Sequence, residues 1–220
     1  MTGELVLPCL EATSATATMH GVRWIKRLFD IVAVLTGGIV ILPVLLLVGL
    51  IIGTDSQGPI LFKQRRVGLH GEDFWIFKFR TMVANAETLR SDLTCCNEAG
   101  GPLFKIENDP RITRVGRFLR RSSLDELPQI LNVLRGEMSL IGPRPLPVDD
   151  WEPFRNGLGE ERHSVLPGMT GLWQVSGRSL APGERMLELD IAYVRSRSLW
   201  MDLKILLRTV PVVLGRRGAC

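Results

Sequence analysis

The sequence predicts an α+β fold: a mostly helical, membrane-associated domain with one N-terminal re-entrant membrane helix, a small β-hairpin and interfacial amphipathic helices. Three observations lead to this prediction. One block of residues is long, apolar and free of charge, two short apolar runs flank a glycine-containing turn, and arginines recur at helical spacing later in the chain. The length of 220 residues suits one domain with a sizeable core.

The apolar block is the 24-residue stretch Ile31–Thr54, which carries no charged side chain. A straight helix of that length would extend about 36 Å, enough to cross the hydrocarbon core of a bilayer. Lysines and arginines occur on both sides of it, so the positive-inside rule favours neither end, and both can face the cytoplasm. Pro43 at its middle removes a backbone hydrogen bond and bends the helix. The sequence is compatible with two re-entrant half-helices broken at Pro43 and with a kinked helix that spans the membrane.

Composition sets the N-terminal segment apart from the rest of the chain. Residues 1–22 are rich in alanine, threonine and serine and lack both periodicity and a secretory signal, which predicts a disordered tail. The domain is expected over residues 23–218, with the membrane helix at about 28–54 and the part outside the membrane at about 58–218. The four cysteines lack zinc-ligand spacing, which indicates a reducing compartment and no structural metal.

A β-hairpin is predicted directly after the membrane segment. The apolar runs 60–63 and 74–79 flank the turn 68–71, which contains two glycines. The second run leads into the basic residues Lys78 and Arg80, so the hairpin is expected to bring two cations next to the membrane.

A basic amphipathic helix is predicted further along, from arginines at three- and four-residue spacing; they are Arg111, Arg114, Arg117 and Arg121. Such a helix suits the surface of an anionic membrane or a polyphosphate ligand, and also a charged face in water. The chain closes with two helical segments, at about 184–195 and 200–214. The last segment is too polar to span a membrane and suits either the membrane interface or burial against the domain.

Two adjacent carboxylates lie in the segment Ser122–Gln129. Serine hydroxyls precede Asp125 and Glu126, and Pro128 is tolerated only in or before a first helical turn, so the acids are expected near a helix N-terminus that the serines cap. The helix dipole and Arg120 favour the ionised carboxylates. Asp125 can then act as a nucleophile toward phosphorus and Glu126 as a ligand for Mg²⁺. Taken alone, such a pair is more often an ordinary capping arrangement.

Five short motifs follow one another along the chain. They are Lys26-Arg27-x-Phe29-Asp30, Lys78-Phe79-Arg80-Thr81-Met82, Ser123-Leu124-Asp125-Glu126-Leu127-Pro128-Gln129, Gly136-Glu137-Met138-Ser139 and Gly142-Pro143-Arg144-Pro145. In this order they closely resemble the bacterial sugar transferase family, the monotopic phosphoglycosyl transferases. The resemblance covers residues 23–218, and the short chain resembles the members that initiate exopolysaccharide synthesis.

The resemblance implies transfer of a hexose-1-phosphate from a UDP-sugar to undecaprenyl phosphate, with release of UMP. Asp125 would attack the β-phosphate and form a sugar-phosphoryl-aspartate, and Glu126 would bind Mg²⁺. The resemblance also assigns substrate-binding roles to Lys78, Arg80, Arg111, Arg120, Pro143, Arg144 and Pro145. It implies a cytoplasmic (inner) membrane location with the catalytic part facing the cytoplasm, and it leaves a homodimer open.

The chain departs from the family at the predicted helix break. Relatives usually break the re-entrant helix at a Ser-Pro pair, whereas Leu42 precedes Pro43 here, so the proline is kept and the hydroxyl is missing. Nothing in the motifs contacts the sugar ring in a predictable way. The transferred sugar therefore stays open among galactose, glucose and an N-acetylated hexose.

The alternative function is that of a non-catalytic, membrane-tethered interaction module. In that case the arginines bind anionic lipid and the paired acids only cap a helix. Nucleic-acid binding is not expected, because the net charge is only +4 and aromatic residues for base stacking are not interleaved with the basic ones.

Overall fold

The computed structural model describes residues 7–89, 92–93, 106, 108–151, 158–176 and 183–215, and only the backbone of residues 7–23, 158, 183–184 and 214. Its helices are α1 (Leu7–Asp55), α2 (Arg114–Ser122), α3 (Ile130–Arg135), α4 (Val148–Trp151), α5 (Leu158–Glu161), α6 (Leu172–Val175), α7 (Gly183–Ser196) and α8 (Leu199–Leu214). Its strands are β1 (Leu61–Val67), β2 (Asp73–Phe79), β3 (Ser139–Ile141) and β4 (Gly168–Thr170). Single 3₁₀ segments occupy Leu69–Gly71, Leu124–Gln129 and Arg162–Ser164. This mixture of helices with two small two-stranded sheets confirms the α+β class.

Helix α1 is one helix of 49 residues that contains Pro43. It begins at Leu7, inside the segment 1–22 that the sequence predicts as a disordered tail. Residues 1–6 and the side chains of 7–23 lie outside the described part of the chain, so the tail and the domain boundaries remain predictions. Among the described residues, one helical stretch, Trp24–Asp55, is long and apolar enough to cross a membrane.

The two ends of the apolar stretch have side chains buried against the rest of the domain, and its middle has none. Near its start, Arg27 donates a hydrogen bond to the Val133 carbonyl at 2.5 Å. Near its end, Val48 and Ile52 are buried against β2 and α2. Between these contacts, residues 35–47 contain no buried side chain, and their leucines, valines and isoleucines are largely exposed. The middle of the helix therefore projects away from the domain.

The predicted β-hairpin is confirmed. Strands β1 and β2 pair antiparallel, in a register that runs from Leu61 opposite Phe79 to Val67 opposite Asp73. The tight connection between them is the 3₁₀ turn Leu69–Gly71. Two of its residues have left-handed backbones, and Gly71, with φ of 79°, supplies one of them without steric cost.

The predicted basic helix forms as α2, and Arg111 lies before its first residue. The Thr113 hydroxyl caps it by accepting a hydrogen bond from the Gly116 backbone amide at 2.9 Å. A side chain on Gly116 would overlap the Thr81 carbonyl, so the glycine allows α2 to lie directly against the segment that follows β2.

A second, parallel sheet is formed by β3 and β4, which the sequence did not predict. The pairs Ser139–Gly168 and Ile141–Thr170 set its register. Each strand has three residues, too few for an alternating pattern to be read. The backbone at Gly168 approaches Gly142 so closely that a Cβ would overlap it. This contact places the loop after β3 beside the start of β4.

The two predicted C-terminal helices are confirmed as α7 and α8. Helix α8 buries Asp202 and Ile205 against the domain. Its opposite side is apolar and exposed, and it consists of Leu199, Trp200, Leu203, Leu207 and Val210. The helix is thus buried on one face and presents an apolar face outward.

Candidate active site

The predicted pair of acids lies in the first turn of the 3₁₀ helix Leu124–Gln129, between α2 and α3, which confirms its expected place near a helix start. The serines do not cap this turn, contrary to the prediction. Ser122 ends α2, and its hydroxyl donates to the Phe118 carbonyl at 2.9 Å. Ser123 has a left-handed backbone with φ of 56°, and its side chain does not cap the turn. Capping side chains need the extended backbone region, and the left-handed Ser123 instead turns the chain sharply from α2 into the acids.

The carboxylate of Glu126 is held by two cations. Lys78 Nζ on β2 lies 2.8 Å from Glu126 Oε1. Arg144, in the loop after β3, donates from Nη2 to Oε1 at 2.6 Å and from Nη1 to Oε2 at 3.2 Å. The three side chains are between 15% and 28% exposed, so the cluster is accessible to a ligand. Three of the predicted site residues thus come from separate parts of the chain and meet at one point.

Asp125 is adjacent to this cluster and is not bound into it. Among the described residues, none forms a hydrogen bond or ion pair with its carboxylate. Burial, together with the charge of Glu126, raises the pKa of Asp125 to about 6, although Lys78, Arg120 and Arg144 oppose the rise. At neutral pH most of the Asp125 carboxylate is therefore ionised, and no partner needs to be displaced before it can react.

Glu126 responds to the same surroundings in the opposite direction. Burial raises its pKa, but the charges and hydrogen bonds of Arg144 and Lys78 outweigh burial and hold the pKa of Glu126 well below its usual range. The two neighbouring carboxylates therefore differ in protonation behaviour. Glu126 stays anionic, and Asp125 titrates near the pH range in which enzymes work.

The loop that carries Arg144 is fixed through its carbonyl groups. Three successive carbonyls each accept one hydrogen bond: Pro143 from Gly168 N at 2.8 Å, Arg144 from Arg162 Nη2 at 2.7 Å, and Pro145 from Arg66 Nη1 at 2.9 Å. Prolines have no amide proton to donate, so the loop depends on these acceptors. The predicted residues Pro143 and Pro145 thus lie on either side of Arg144 and stiffen its backbone.

Two arginines that support this loop were missed in the sequence. Arg162 pairs with Asp190 on α7 at 2.6 Å, and both side chains are 1% exposed. Burial raises the pKa of Asp190 to about 6. A signal for this pair exists on α7, where Asp190 is in helical phase with the buried Met186 and Tyr193, a position that usually carries an apolar residue. Arg66 was missed because the predicted first strand stopped before it.

Arg120 is the second predicted arginine near the acids. Its Nε donates to the Thr81 hydroxyl at 2.9 Å, and its charge lowers the pKa of Asp125. Its own pKa is lowered by burial. The arrangement keeps a guanidinium next to the free carboxylate without an ion pair between them.

The remaining predicted cations, Arg80 and Arg111, hold loops in this structure. Arg80 is buried and donates to the Ser56 and Pro59 carbonyls, both at 2.6 Å, where α1 ends. Arg111 is buried in a two-pronged pair with Asp109, with its closest contact at 2.6 Å. Neither is engaged with the acids, and their binding of substrate remains a prediction.

The donor groups at the site suit a magnesium ion that is shared with substrate. No cluster of three or more histidine, cysteine or acidic side chains able to hold a metal occurs within the described ranges. Asp125 and Glu126 supply two adjacent carboxylates next to an accessible cationic cluster. Mg²⁺ is commonly bound through one or two carboxylates while phosphates and waters complete its shell. The residues therefore fit an ion that arrives with a diphosphate, and they do not form an all-protein cage.

Comparison with known proteins gives close relatives with stated activities. The chain is 44% identical over 198 residues to the galactosyl transferase CpsE of Streptococcus agalactiae, which covers 88% of this chain and 43% of CpsE. It is 45% identical over 204 residues to a UDP-glucose:undecaprenyl-phosphate glucose-1-phosphate transferase of Caulobacter vibrioides, across 88% of this chain and 71% of that protein. It is 38% identical over 213 residues to the exopolysaccharide production protein ExoY of Sinorhizobium fredii, across 95% and 93% of the two chains.

The chain spans less than half the length of CpsE and nearly all of ExoY. The sequence model of the bacterial sugar transferase family matches residues 21–216. This range includes Asp125 and Glu126, and also Lys78 and the proline-flanked Arg144, which bind Glu126. On this evidence the chain is a member of the bacterial sugar transferase family.

Proposed function

We propose that this protein transfers a hexose-1-phosphate from a UDP-sugar to undecaprenyl phosphate, with release of UMP, and so initiates exopolysaccharide synthesis. The main support for this proposal is that the two acids differ in hydrogen bonding and in pKa. Glu126 is clamped by Lys78 and Arg144, whereas Asp125 beside it is ionisable near neutral pH and bound by no described residue. The relatives include a galactosyl transferase and a UDP-glucose:undecaprenyl-phosphate glucose-1-phosphate transferase, which supports the reaction class.

In the first step an oxygen of the Asp125 carboxylate attacks the β-phosphorus of the UDP-sugar. A new bond forms between that oxygen and phosphorus, and the bond from phosphorus to the bridging oxygen breaks. The electron pair leaves with UMP, and a sugar-phosphoryl-aspartate remains. The step needs the ionised carboxylate, which a pKa of about 6 supplies at neutral pH.

In the second step a phosphate oxygen of undecaprenyl phosphate attacks the same phosphorus. The bond between phosphorus and the Asp125 oxygen breaks and returns the electron pair to the carboxylate. The product is a sugar diphosphate lipid, and the enzyme is restored. Asp125 has no hydrogen-bond or ion-pair partner among the described residues. Its carboxylate can therefore leave the phosphorus in this second step without re-forming a contact with another side chain.

The surrounding cations would stabilise the charge of the substrate phosphates. Arg144 presents two guanidinium nitrogens in a plane, a geometry that fits phosphate as well as carboxylate. A diphosphate would compete with Glu126 for Arg144 and Lys78, and Glu126 would then be released to hold Mg²⁺. When bound, Mg²⁺ supplies positive charge against the developing charge on the phosphate oxygens.

We also propose that α1 enters the cytoplasmic leaflet of the inner membrane and returns to the same side. Its two flanks pack against one domain, whereas residues 35–47, around Pro43, are mostly apolar and include no buried side chain. A straight spanning helix would carry its two ends to opposite sides of the bilayer, away from a shared domain. The exposed apolar face of α8 would lie at the same interface.

The experiment is UMP release by purified protein with Mg²⁺, undecaprenyl phosphate and one of UDP-galactose, UDP-glucose or UDP-N-acetylglucosamine. Release with one donor identifies the sugar. In the absence of lipid acceptor, mass spectrometry should find a hexose-phosphate adduct on the peptide that contains Asp125. A folded protein that releases UMP from none of the donors would instead favour the non-catalytic, membrane-tethered module.

A further inference from the structure

We propose that the outward face of α2 binds the phosphate headgroups of anionic membrane phospholipids. This face consists of Arg114, Arg117, Phe118 and Arg121. The inference rests on the proposed membrane association of α1, and it does not depend on the transfer reaction.

The four side chains form one continuous surface. Their spacing of three, four and seven residues places them on one side of a helix. All four are exposed, and with Ser122 they line an open depression of about 200 Å³. Pockets for drug-sized ligands usually measure about 300–1,000 Å³, so the depression suits a single phosphate better than a nucleotide sugar.

The three guanidinium groups lack counter-charges within the described part of the chain, where none of them forms an ion pair or side-chain hydrogen bond. Like charges at these helical spacings repel one another and destabilise the helix. The arginines that support the fold behave differently, since Arg111 and Arg162 are each buried against an aspartate. A cluster of free cations on one face therefore fits an external anion.

The position of α2 identifies the source of that anion as the membrane. On the inner side of the helix, Val115 and Leu119 pack with Val48 and Ile52, close to the end of the apolar stretch at Asp55. This end is where the helix would leave the hydrocarbon for the headgroup layer. The outward face of α2 would then lie at headgroup depth.

Phe118 distinguishes a lipid surface from free phosphate. Its side chain is 56% exposed in the middle of the three arginines. A free phosphate gains nothing from an exposed phenyl ring, whereas a ring at the interface can bury its apolar surface among acyl chains while the arginines contact phosphates. Each basic residue near an anionic surface strengthens the attraction to it.

The test uses the full chain reconstituted in phosphatidylcholine vesicles that contain phosphatidylglycerol. Electron spin resonance of spin-labelled phosphatidylglycerol and phosphatidylcholine gives the relative association of each lipid with the protein. We expect the wild type to prefer phosphatidylglycerol several-fold, with the preference reduced by added salt. The triple variant Arg114→Gln/Arg117→Gln/Arg121→Gln should show nearly equal association of the two lipids.

The matched control removes the same charge elsewhere. Arg65, Arg185 and Arg195 are exposed to 60–62% and each forms an ion pair, so the variant Arg65→Gln/Arg185→Gln/Arg195→Gln should keep the wild-type preference. The inference is overturned if the α2 variant keeps the preference or if the control loses as much. Should the triple variant fail to fold, the single variants Arg117→Gln and Arg121→Gln must each lower the preference in part, and unchanged values would overturn it equally.

Discussion

Arg144 holds Glu126 through two hydrogen bonds, of 2.6 and 3.2 Å, while the neighbouring Asp125 has no such partner among the described residues. The planar guanidinium matches the two carboxylate oxygens, and three carbonyl hydrogen bonds hold the loop that carries Arg144 in place. The two carboxylates of one turn therefore differ in their hydrogen bonds and in the direction in which their pKa is shifted.

Asp125→Asn should abolish UMP release, because an amide cannot form the sugar-phosphoryl intermediate. Loss of a nucleophile is expected to lower kcat by roughly 10⁴-fold or more. The measurement is UMP release at saturating donor, with thermal unfolding in detergent to show that the fold is kept. Asp149→Asn is the matched control, since Asp149 is an exposed acid outside the site and its loss should change nothing. Equal rates for Asp125→Asn and the wild type would eliminate Asp125 as the nucleophile.

The pH profile of UMP release should show an acidic limb near pH 6. Asp125 must be ionised to attack, and its pKa is raised to about 6, so activity should be present above that pH and be lost as the pH falls through it. Arg120 lowers this pKa, so Arg120→Gln should move the limb to higher pH, and Arg120→Lys should keep it. Glu126 raises the pKa of Asp125, so the acidic limb of the residual Glu126→Gln activity should lie at lower pH. A limb that stays in place in both Arg120→Gln and Glu126→Gln would contradict the assignment.

Arg144→Lys should weaken donor binding although the charge is kept. A lysine cannot make two parallel contacts with one phosphate, and a hydrogen bond to a charged group contributes about 1.5–3 kcal/mol. We expect KM for the UDP-sugar to rise about ten- to hundredfold, with KM for undecaprenyl phosphate little changed. Steady-state kinetics with each substrate varied in turn makes the comparison. A larger rise for the lipid than for the nucleotide would place Arg144 at the acceptor instead.

The elements that the sequence predicted are those with local patterns. The hairpin 61–79, the basic helix α2 and the acids in a first turn follow from apolar runs, arginine spacing and the position of Pro128. The parallel pairing of β3 with β4 has no such pattern, because two three-residue strands far apart in sequence are joined only by tertiary packing. The serine caps were predicted wrongly because the left-handed backbone of Ser123 is set by the turn out of α2.

The same distinction between local patterns and long-range contacts applies to the active site. Lys78, Glu126 and Arg144 were predicted through resemblance, and their contact is long-range, across 48 residues from Lys78 to Glu126 and 18 from Glu126 to Arg144. Arg162 and Asp190 were missed since no short motif contains both. The sequence signal for such a pair is an acidic residue at a helical position that is otherwise apolar, as Asp190 is on α7.

Breaking the Arg162–Asp190 pair should destabilise the protein and loosen Arg144. Removal of one partner from a buried ion pair costs about 3–5 kcal/mol, because the other charge stays buried alone. Arg162→Met should therefore lower the thermal unfolding temperature strongly, and the double variant Arg162→Met/Asp190→Leu should recover part of the loss. Unfolding followed by circular dichroism in detergent measures both. A double variant that unfolds at a lower temperature than Arg162→Met would show that Asp190 has another partner or role.

Replacement of Pro43 tests the proposed path of α1 through the membrane. Alanine restores the missing hydrogen bond and favours a straight helix, so Pro43→Ala should favour spanning over re-entry. With the native cysteines changed to serine, single cysteines at Arg23 and Ser56 should both react with an impermeant reagent added from the cytoplasmic side of inverted vesicles. In the Pro43→Ala background we expect the two sites to differ, since a spanning helix places them on opposite sides. Leu42→Ala is the control and should leave both cysteines on one side. If the two sites already lie on opposite sides in the protein with Pro43 intact, α1 spans the bilayer and the re-entrant path is wrong.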